Sequence, residues 1–358
     1  MKKVITTILI FASFSSILGQ DSSKSSLTFS GYAEVYYQYD LNKPSDNTRP
    51  GFIYSHNRHN EFNLNLGFLK ANYTSDRIRA NLALAAGTYM NANYSAEPGV
   101  LKNIYEANAG FKIVKNENFW LDAGIMNSHI GFESAISKDC WTLTRSIPAD
   151  NSPYYESGAK LTYVTDNGKW LISGLALNGW QRITRVSGNS LMSFGTQLQF
   201  RPSDKVLLNY STFIGTDKPD SVRLLRIFHN LYGIFTINDN LGIIIGFDIG
   251  TEEKTPAGNE TNTWYSPVGI LKYTISDKWA ISGRVEHYND ENGVIISSST
   301  PNGFQTTGYS LNFDFGPSKN MLIRIEAKTL NSKDDNFSKG DAKVNNNTSI
   351  ITSLAVSF

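Results

Sequence analysis

The side chains best able to do chemistry are few. His56 and His59 stand three apart, a spacing that metal sites use. They lie in a polar stretch, NKPSDNTRPGFIYSHNRHN, with no Cys and no carboxylate at a fixed interval, so a rim histidine pair is the expected role. His287 follows Glu286, but a hydrolase would also need a serine and a third polar partner, and none stands out. Cys140 is the one cysteine; it rules out an internal disulfide and reads as a small buried residue rather than a nucleophile. A Gly-rich phosphate loop is also missing. The chain is therefore expected to be neither an enzyme nor a cofactor or metal carrier.

A larger set of charges is more informative. Glu34, Glu106, Asp122, Glu156, Asp248, Glu286, Asp314 and Glu326 share the polar phase of their segments with Arg77, Arg79, Lys112, Lys160, Arg201, Arg284, Arg324 and Lys328. Gathered on the inside of a closed sheet, such charges either bracket a water-filled channel or pair across neighbouring strands. Mixed signs suggest weak charge selectivity. The whole chain is nearly balanced, with 33 basic and 32 acidic residues, so no nucleic-acid footprint is visible.

The elements that position these charges alternate with a period of two. Leu27, Phe29, Gly31, Ala33, Val35, Tyr37 and Tyr39 share one face, and Thr28, Ser30, Tyr32, Glu34, Tyr36, Gln38 and Asp40 the other. The final stretch, TSIITSLAVSF, places Ile350, Thr352, Leu354, Val356 and Phe358 on one side and small, mostly polar groups on the other. Between them, Phe62, Leu64, Leu66 and Phe68 read as one face; Trp170 to Arg182 is ambiguous in parity. The expected fold is all-β: a transmembrane antiparallel up-and-down β-barrel of about 16 strands. Connections alternate short and long, as short periplasmic turns and long extracellular loops would. The short ones, such as Asp166–Gly168 and Asn238–Asn240, carry tight-turn residues. Aromatics near strand ends, among them Tyr89, Tyr105, Tyr155, Trp170, Trp180, Phe200, Trp264 and Trp279, suggest interfacial girdles.

Residues 1–19 read as a signal peptide, with Lys2 and Lys3 before an apolar run too short to span as a helix; 20–358 read as the barrel. Ser128 to Ser152 is the longest and least polar loop. Ile130, Phe132, Cys140, Trp141 and Leu143 need burial there, while Glu133, Asp139 and Arg145 need partners. It is expected to fold into the barrel as a constriction, with a cap on the outer rim as the alternative. The first loop, with Arg49, Tyr54, His56, Arg58 and His59, is a second candidate.

The opening FSGYAEVYYQYD, the run SHNRHNEFNLNLGF and the central GIMNSHIGFESAISKDCWTLTRS resemble the OmpL-like beta-barrel porin family. So do STFIGTDKPDSVR and TPNGFQTTGYSLNFD, and the likeness covers nearly the whole mature chain. It implies an outer-membrane barrel of Gram-negative type with porin activity; no catalytic or binding residue is carried over. The expected function is passive diffusion of small hydrophilic solutes. A closed barrel acting as an adhesin or structural protein is the first alternative, and a barrel-embedded hydrolase the second. Expected partners are outer-membrane lipid, the solutes, and the barrel-assembly machinery through Phe358; a homo-oligomer is compatible with this.

Overall fold

The structure is a computed structural model describing residues 25–358; the expected signal peptide lies outside the described residues. Sixteen strands form one closed antiparallel barrel. In chain order they are β1 (Ser26–Asp40), β2 (Phe62–Thr74), β3 (Ile78–Ala86), β4 (Ile104–Lys112), β5 (Phe119–Asn127), β6 (Tyr155–Val164), β7 (Trp170–Leu177) and β8 (Ser193–Ser203). There follow β9 (Val206–Gly215), β10 (Arg226–Thr236), β11 (Leu241–Glu253), β12 (Thr261–Ser276), β13 (Trp279–Asp290), β14 (Phe304–Ser318), β15 (Met321–Ser332) and the closing β18 (Asn346–Ser357). Each pairs with its sequence neighbours. A small hairpin, β16 (Phe337–Lys339) and β17 (Ala342–Val344), stands apart in the last outer loop, where the sequence suggested only a loop.

Closure is made by β18 against β1, from Tyr32↔Ser357 to Asp40↔Ser349. The ladder runs to the last residue: the Gly31 amide donates to the Phe358 carbonyl at 2.7 Å, and the Phe358 amide returns the bond at 3.0 Å. The Phe358 ring lies over Gly31, at the spot a Cβ would occupy, so glycine is required by close approach. Closing the sheet removes both edges, which hydrocarbon would leave without hydrogen-bond partners.

The outer face is mainly apolar. Leu27, Phe29, Val35, Leu82, Leu84, Ile172, Phe194, Ile245, Leu311, Ile325 and Ile350 are exposed on it. Their sequence neighbours Tyr36, Ala83, Ser173, Ile244, Ser310 and Ile351 are buried inside. Trp170 stacks on Phe200 at 4.1 Å and Trp279 on Phe315 at 4.4 Å, near the periplasmic strand ends. The Trp170 pair also resolves the parity of β7: Ile172 faces out, Leu175 and Leu177 face in.

Two expectations are corrected. Phe62 and Leu66 do not share a face: the register shifts between Glu34 and Val35, and Leu66 becomes fully buried while Leu69 is exposed. A bulge inserts one residue and reverses the phase of everything beyond it. Tyr89, Tyr105, Tyr155 and Trp264 do not stand in a lipid girdle. All four are buried in internal clusters, with Trp180 packed against the edge of one. An aromatic at a strand end meets the membrane interface only on one parity; on the other it meets the loops.

Leu311 lies at the middle of β14, half-exposed on the lipid face. Leu311→Arg is expected to lower unfolding free energy in vesicles by ~2–4 kcal/mol, the cost of a cation near the bilayer midplane. Urea titration followed by tryptophan fluorescence measures it.

Candidate functional site: a loop bound across the lumen

The 128–154 connection leaves the outer end of β5, crosses the lumen and returns to β6. Its start is pinned by His129, which sequence reasoning passed over. Nδ1 meets Glu156 Oε2 at 3.0 Å and Nε2 meets the Thr212 carbonyl at 2.8 Å. Both partners are acceptors, so both ring nitrogens must donate, as only an imidazolium can. Burial pulls the His129 pKa down, but Glu156 outweighs it and the net shift is upward. Further on, Phe132 fills the space beside Gly246 and Trp141 that beside Gly242, both on β11.

The middle of the loop is held against β13–β15. Arg284 Nη1 donates at 2.7 Å to both Thr142 Oγ1 and the Thr144 carbonyl, and Nη2 to Thr144 Oγ1 at 2.8 Å. The same guanidinium stands 3.3–3.5 Å from Glu133, Glu286 and Glu326. Lys328 adds a second cation, 2.9 Å from Glu286 and 3.0 Å from the Arg145 carbonyl. Three carboxylates thus share two cations. The loop's backbone amides make up the difference: Thr144 N donates to Glu326 at 2.6 Å, Ile147 N to Glu286 at 2.5 Å and Ser146 N to Glu133 at 3.0 Å. Removing the loop would take these amide partners from the carboxylates and leave them to the water of the lumen.

The tip reaches the periplasmic end. Arg324 grips Asp314 with two bonds, at 2.7 and 3.0 Å. Its remaining hydrogens go to the Ser137 carbonyl at 2.6 Å, the Cys140 carbonyl at 3.1 Å and the Thr142 carbonyl at 3.2 Å. Lys138 reaches the Lys319 carbonyl at 2.7 Å, in the turn between β14 and β15, and Ser357 at 2.6 Å. Ser137 donates to Glu34, which also faces His56 at 3.2 Å, so the first and third loops meet at one buried carboxylate. His59 accepts the Asp40 amide instead, and the two histidines serve separate contacts.

The expected constriction residues fare differently. Glu133 is buried in the network just described. Asp139 is exposed at the loop's tip, in the short 3-10 turn Ser137–Asp139. Arg145 does not face a channel: its guanidinium donates to the Ser134, Leu143 and Ala135 carbonyls and staples the loop to itself. Of the expected lining set, Arg77 is on no strand; it is exposed in the turn before β3. Glu34, Glu156, Arg284, Glu286, Asp314, Arg324, Glu326 and Lys328 face inward but are buried under the loop or its anchors. The remaining members lie on the other wall, where Glu106 and Asp122 are buried and Arg79, Lys112, Lys160 and Arg201 are at least partly exposed. Lys70 pairs with Glu106 at 2.5 Å, Arg79 pairs with Asp122, and Lys112, Lys160 and Arg201 have no ion-pair partner among the described residues. Asn72, Asn81 and Asn108 form a hydrogen-bonded row between them, at 2.8 and 2.9 Å.

The outer half of the lumen is packed by apolar groups that alternation did not reveal. Leu177, Phe213, Phe228, Trp264, Tyr288 and Leu330 form one cluster with Ile130 and Ile147 of the loop. Tyr89 and Tyr94, on and after helix α1 (Thr88–Asn93), join Tyr105, Tyr154 and Tyr155 in another. Helix α2 (Ile147–Asp150) ends on Asp150, whose carboxyl burial pushes up to about 6. Among the described residues no group of three or more His, Cys, Asp or Glu is arranged to hold a metal ion.

Two expectations follow for the loop. Burial pushes the Cys140 thiol up to about 11, so it stays neutral and unreactive while the loop is docked. Arg324→Ala should free the tip, raising the maleimide labelling rate of Cys140 at least tenfold in the folded barrel and costing about 3–5 kcal/mol of stability. The second concerns pH. The folded pKa of Asp150 lies above its ordinary 3.8, so its contribution is fully present below 3.8 and lost as pH rises through about 6. His129, raised above 6.5, loses its contribution at higher pH still. The urea midpoint should therefore fall as pH rises from about 4 to 8. Asp150→Asn should flatten the lower part and His129→Gln the upper.

Comparison with solved structures finds the same architecture. An anion-selective porin from Comamonas acidovorans aligns with a TM-score of 0.63 at 10% identity, over 94% of this chain and 100% of that one. OmpT, an outer membrane protein of Vibrio cholerae solved in a trimer form, aligns at 0.59 and 9%, over 94% and 100%. The outer membrane channel DcaP of Acinetobacter baumannii aligns at 0.60 and 10%, over 95% and 99%. No curated relative matches this chain in sequence. The model of the family described as "Putative beta-barrel porin-2, OmpL-like" matches residues 26–358, the whole barrel from β1 to the terminal Phe358, and the chain belongs to that family of outer-membrane porins.

Proposed function

We propose that this porin passes small hydrophilic solutes along one side of its lumen only, between the docked loop and the wall formed by β2–β8. One contrast carries the reading. On β13–β18 the polar inward residues are sealed, with Asn312, Glu326 and Ser353 all nearly or fully buried. On β2–β8, Lys70, Asn72, Arg79, Asn81, Asn108, Lys112, Lys160 and Gln199 remain partly exposed. Solutes follow the wall that stays wet. Because the loops also pack the outer half, the passage is narrow for a barrel of this strand number, whose interior side chains alone cannot fill.

The wet wall is biased in sign. Its carboxylates, Glu106, Asp122 and Glu156, are each matched by a cation, whereas Lys112, Lys160 and Arg201 have no ion-pair partner among the described residues. Unmatched charge lining a pore sets the local counter-ion concentration, so the passage favours anions modestly. No enzymatic role is proposed: the His287 side chain hydrogen-bonds the Thr307 hydroxyl at 2.9 Å, and no carboxylate among the described residues joins that pair. Lipid surrounds the apolar outer face, and the exposed Phe358 at the end of the closing strand is proposed to engage the assembly machinery. A homo-oligomer is compatible with this arrangement.

Reconstituted protein is expected to give stepwise currents in a planar bilayer, smaller than an unobstructed barrel of sixteen strands would pass. In a salt gradient the reversal potential should indicate anion preference, and Lys160→Gln with Arg201→Gln should bring it close to zero. Deleting residues 134–145 should raise conductance and the sugar-size cutoff. A silent bilayer with heat-modifiable, folded protein would overturn the porin pathway in favour of a closed adhesin.

A further inference from the structure

The outer loops, beyond the lipid-facing sheet, enclose a second cavity. The first loop (41–61), the loop after β13 (291–303) and the β16–β17 hairpin enclose a cavity of about 830 Å³. That size is within the range of small-molecule sites, about 300–1,000 Å³. Its floor is aromatic. Phe52 is half-buried and braced by two buried rings, edge-on to Phe304 at 4.7 Å and tilted to Phe337 at 6.2 Å. Tyr54 lies beside it, half-buried, with no hydroxyl partner among the described residues. The Phe52 ring is therefore held in place before anything binds.

The walls are polar and in part unmatched. Arg49 is internally neutralised, 3.3 Å from Asp40 and bonded to Asn347 at 2.9 Å. Ser297 and Ser299 are exposed on one side, and Asp335 on the other, without side-chain partners among the described residues. Asp46 and Asp335 stand against Lys343, so the cavity is close to neutral and slightly acidic. An anionic ligand gains little from such walls, and a wholly apolar one would leave the carboxylates desolvated. A pyranose answers both surfaces: its C–H face lies on a fixed aromatic ring, and its rim of hydroxyls donates to carboxylates and exchanges bonds with serines.

We propose that this cavity binds a neutral oligosaccharide of about two or three sugar units at the cell surface. The site stands on its own geometry and not on the proposed pathway through the lumen. The test uses full-length barrel in detergent with maltotriose as probe, read by saturation-transfer NMR and calorimetry. Saturable binding is expected, weakened at least tenfold in Phe52→Ala and abolished in Ser299→Trp, which fills the cavity from an exposed position without touching the barrel. Lack of saturable binding, or binding that neither substitution alters, overturns the proposal. Tighter binding of trialanine or of a sulfated trisaccharide at the same site also overturns it. Because binding is measured in solution, a protein that binds maltotriose but is silent in a bilayer would refute only the porin pathway.

Discussion

Every backbone amide that faces hydrocarbon must find a partner inside the protein, and this condition governs the rest of the molecule. A barrel meets it only when the first and last strands join. Here they join down to the terminal residue, through reciprocal bonds between Gly31 and Phe358. The absent side chain of Gly31 leaves room for the Phe358 ring at the seam. Closure in turn fixes the parity of each strand, and parity decides which side chains meet lipid and which meet the interior.

Closing sixteen strands creates a second condition, because the interior is too wide for wall side chains to fill. The chain meets it with a loop held by charge. Arg284 and Lys328 cannot neutralise Glu133, Glu286 and Glu326 alone, and the amides of Thr144, Ser146 and Ile147 complete the balance. Loop and wall are each unsatisfied without the other. Undocking the loop would break these charge-assisted bonds together, so the contacts hold as one unit. The two walls differ: inward polar groups such as Asn312 and Glu326 are buried on one, whereas Lys70, Asn81 and Lys160 stay partly exposed on the other.

Much of the wall was legible from residue order, and much of the site was not. The alternation in Leu27 to Asp40 and in the closing stretch announced lipid and lumen faces correctly, because a period of two is a local property of strand geometry. The same reasoning failed at Leu66, where a bulge reversed the phase, and at Trp264, where a strand-end aromatic faced loops instead of lipid. It placed Arg77 on a strand when a turn holds it, and it saw that Arg145 needs partners without seeing that three carbonyls of its own loop supply them. His129 gave no local signal at all, since Glu156 and Thr212 come from distant positions.

Residue order alone therefore determined the solvent on each side of the sheet, the alternation of turns and loops, and the need of the Ser128–Ser152 segment for burial. These follow from side-chain period and transfer energy, which act over a few neighbouring residues. Which wall that segment would seal, and which cations would stay free, was decided only when the sheet closed. Arg284, Arg324 and Lys328 could meet the loop because β13 and β15 lie across the lumen from its origin. Electrostatic balance depends on distance in space, and distances across a barrel exist only after its seam has formed.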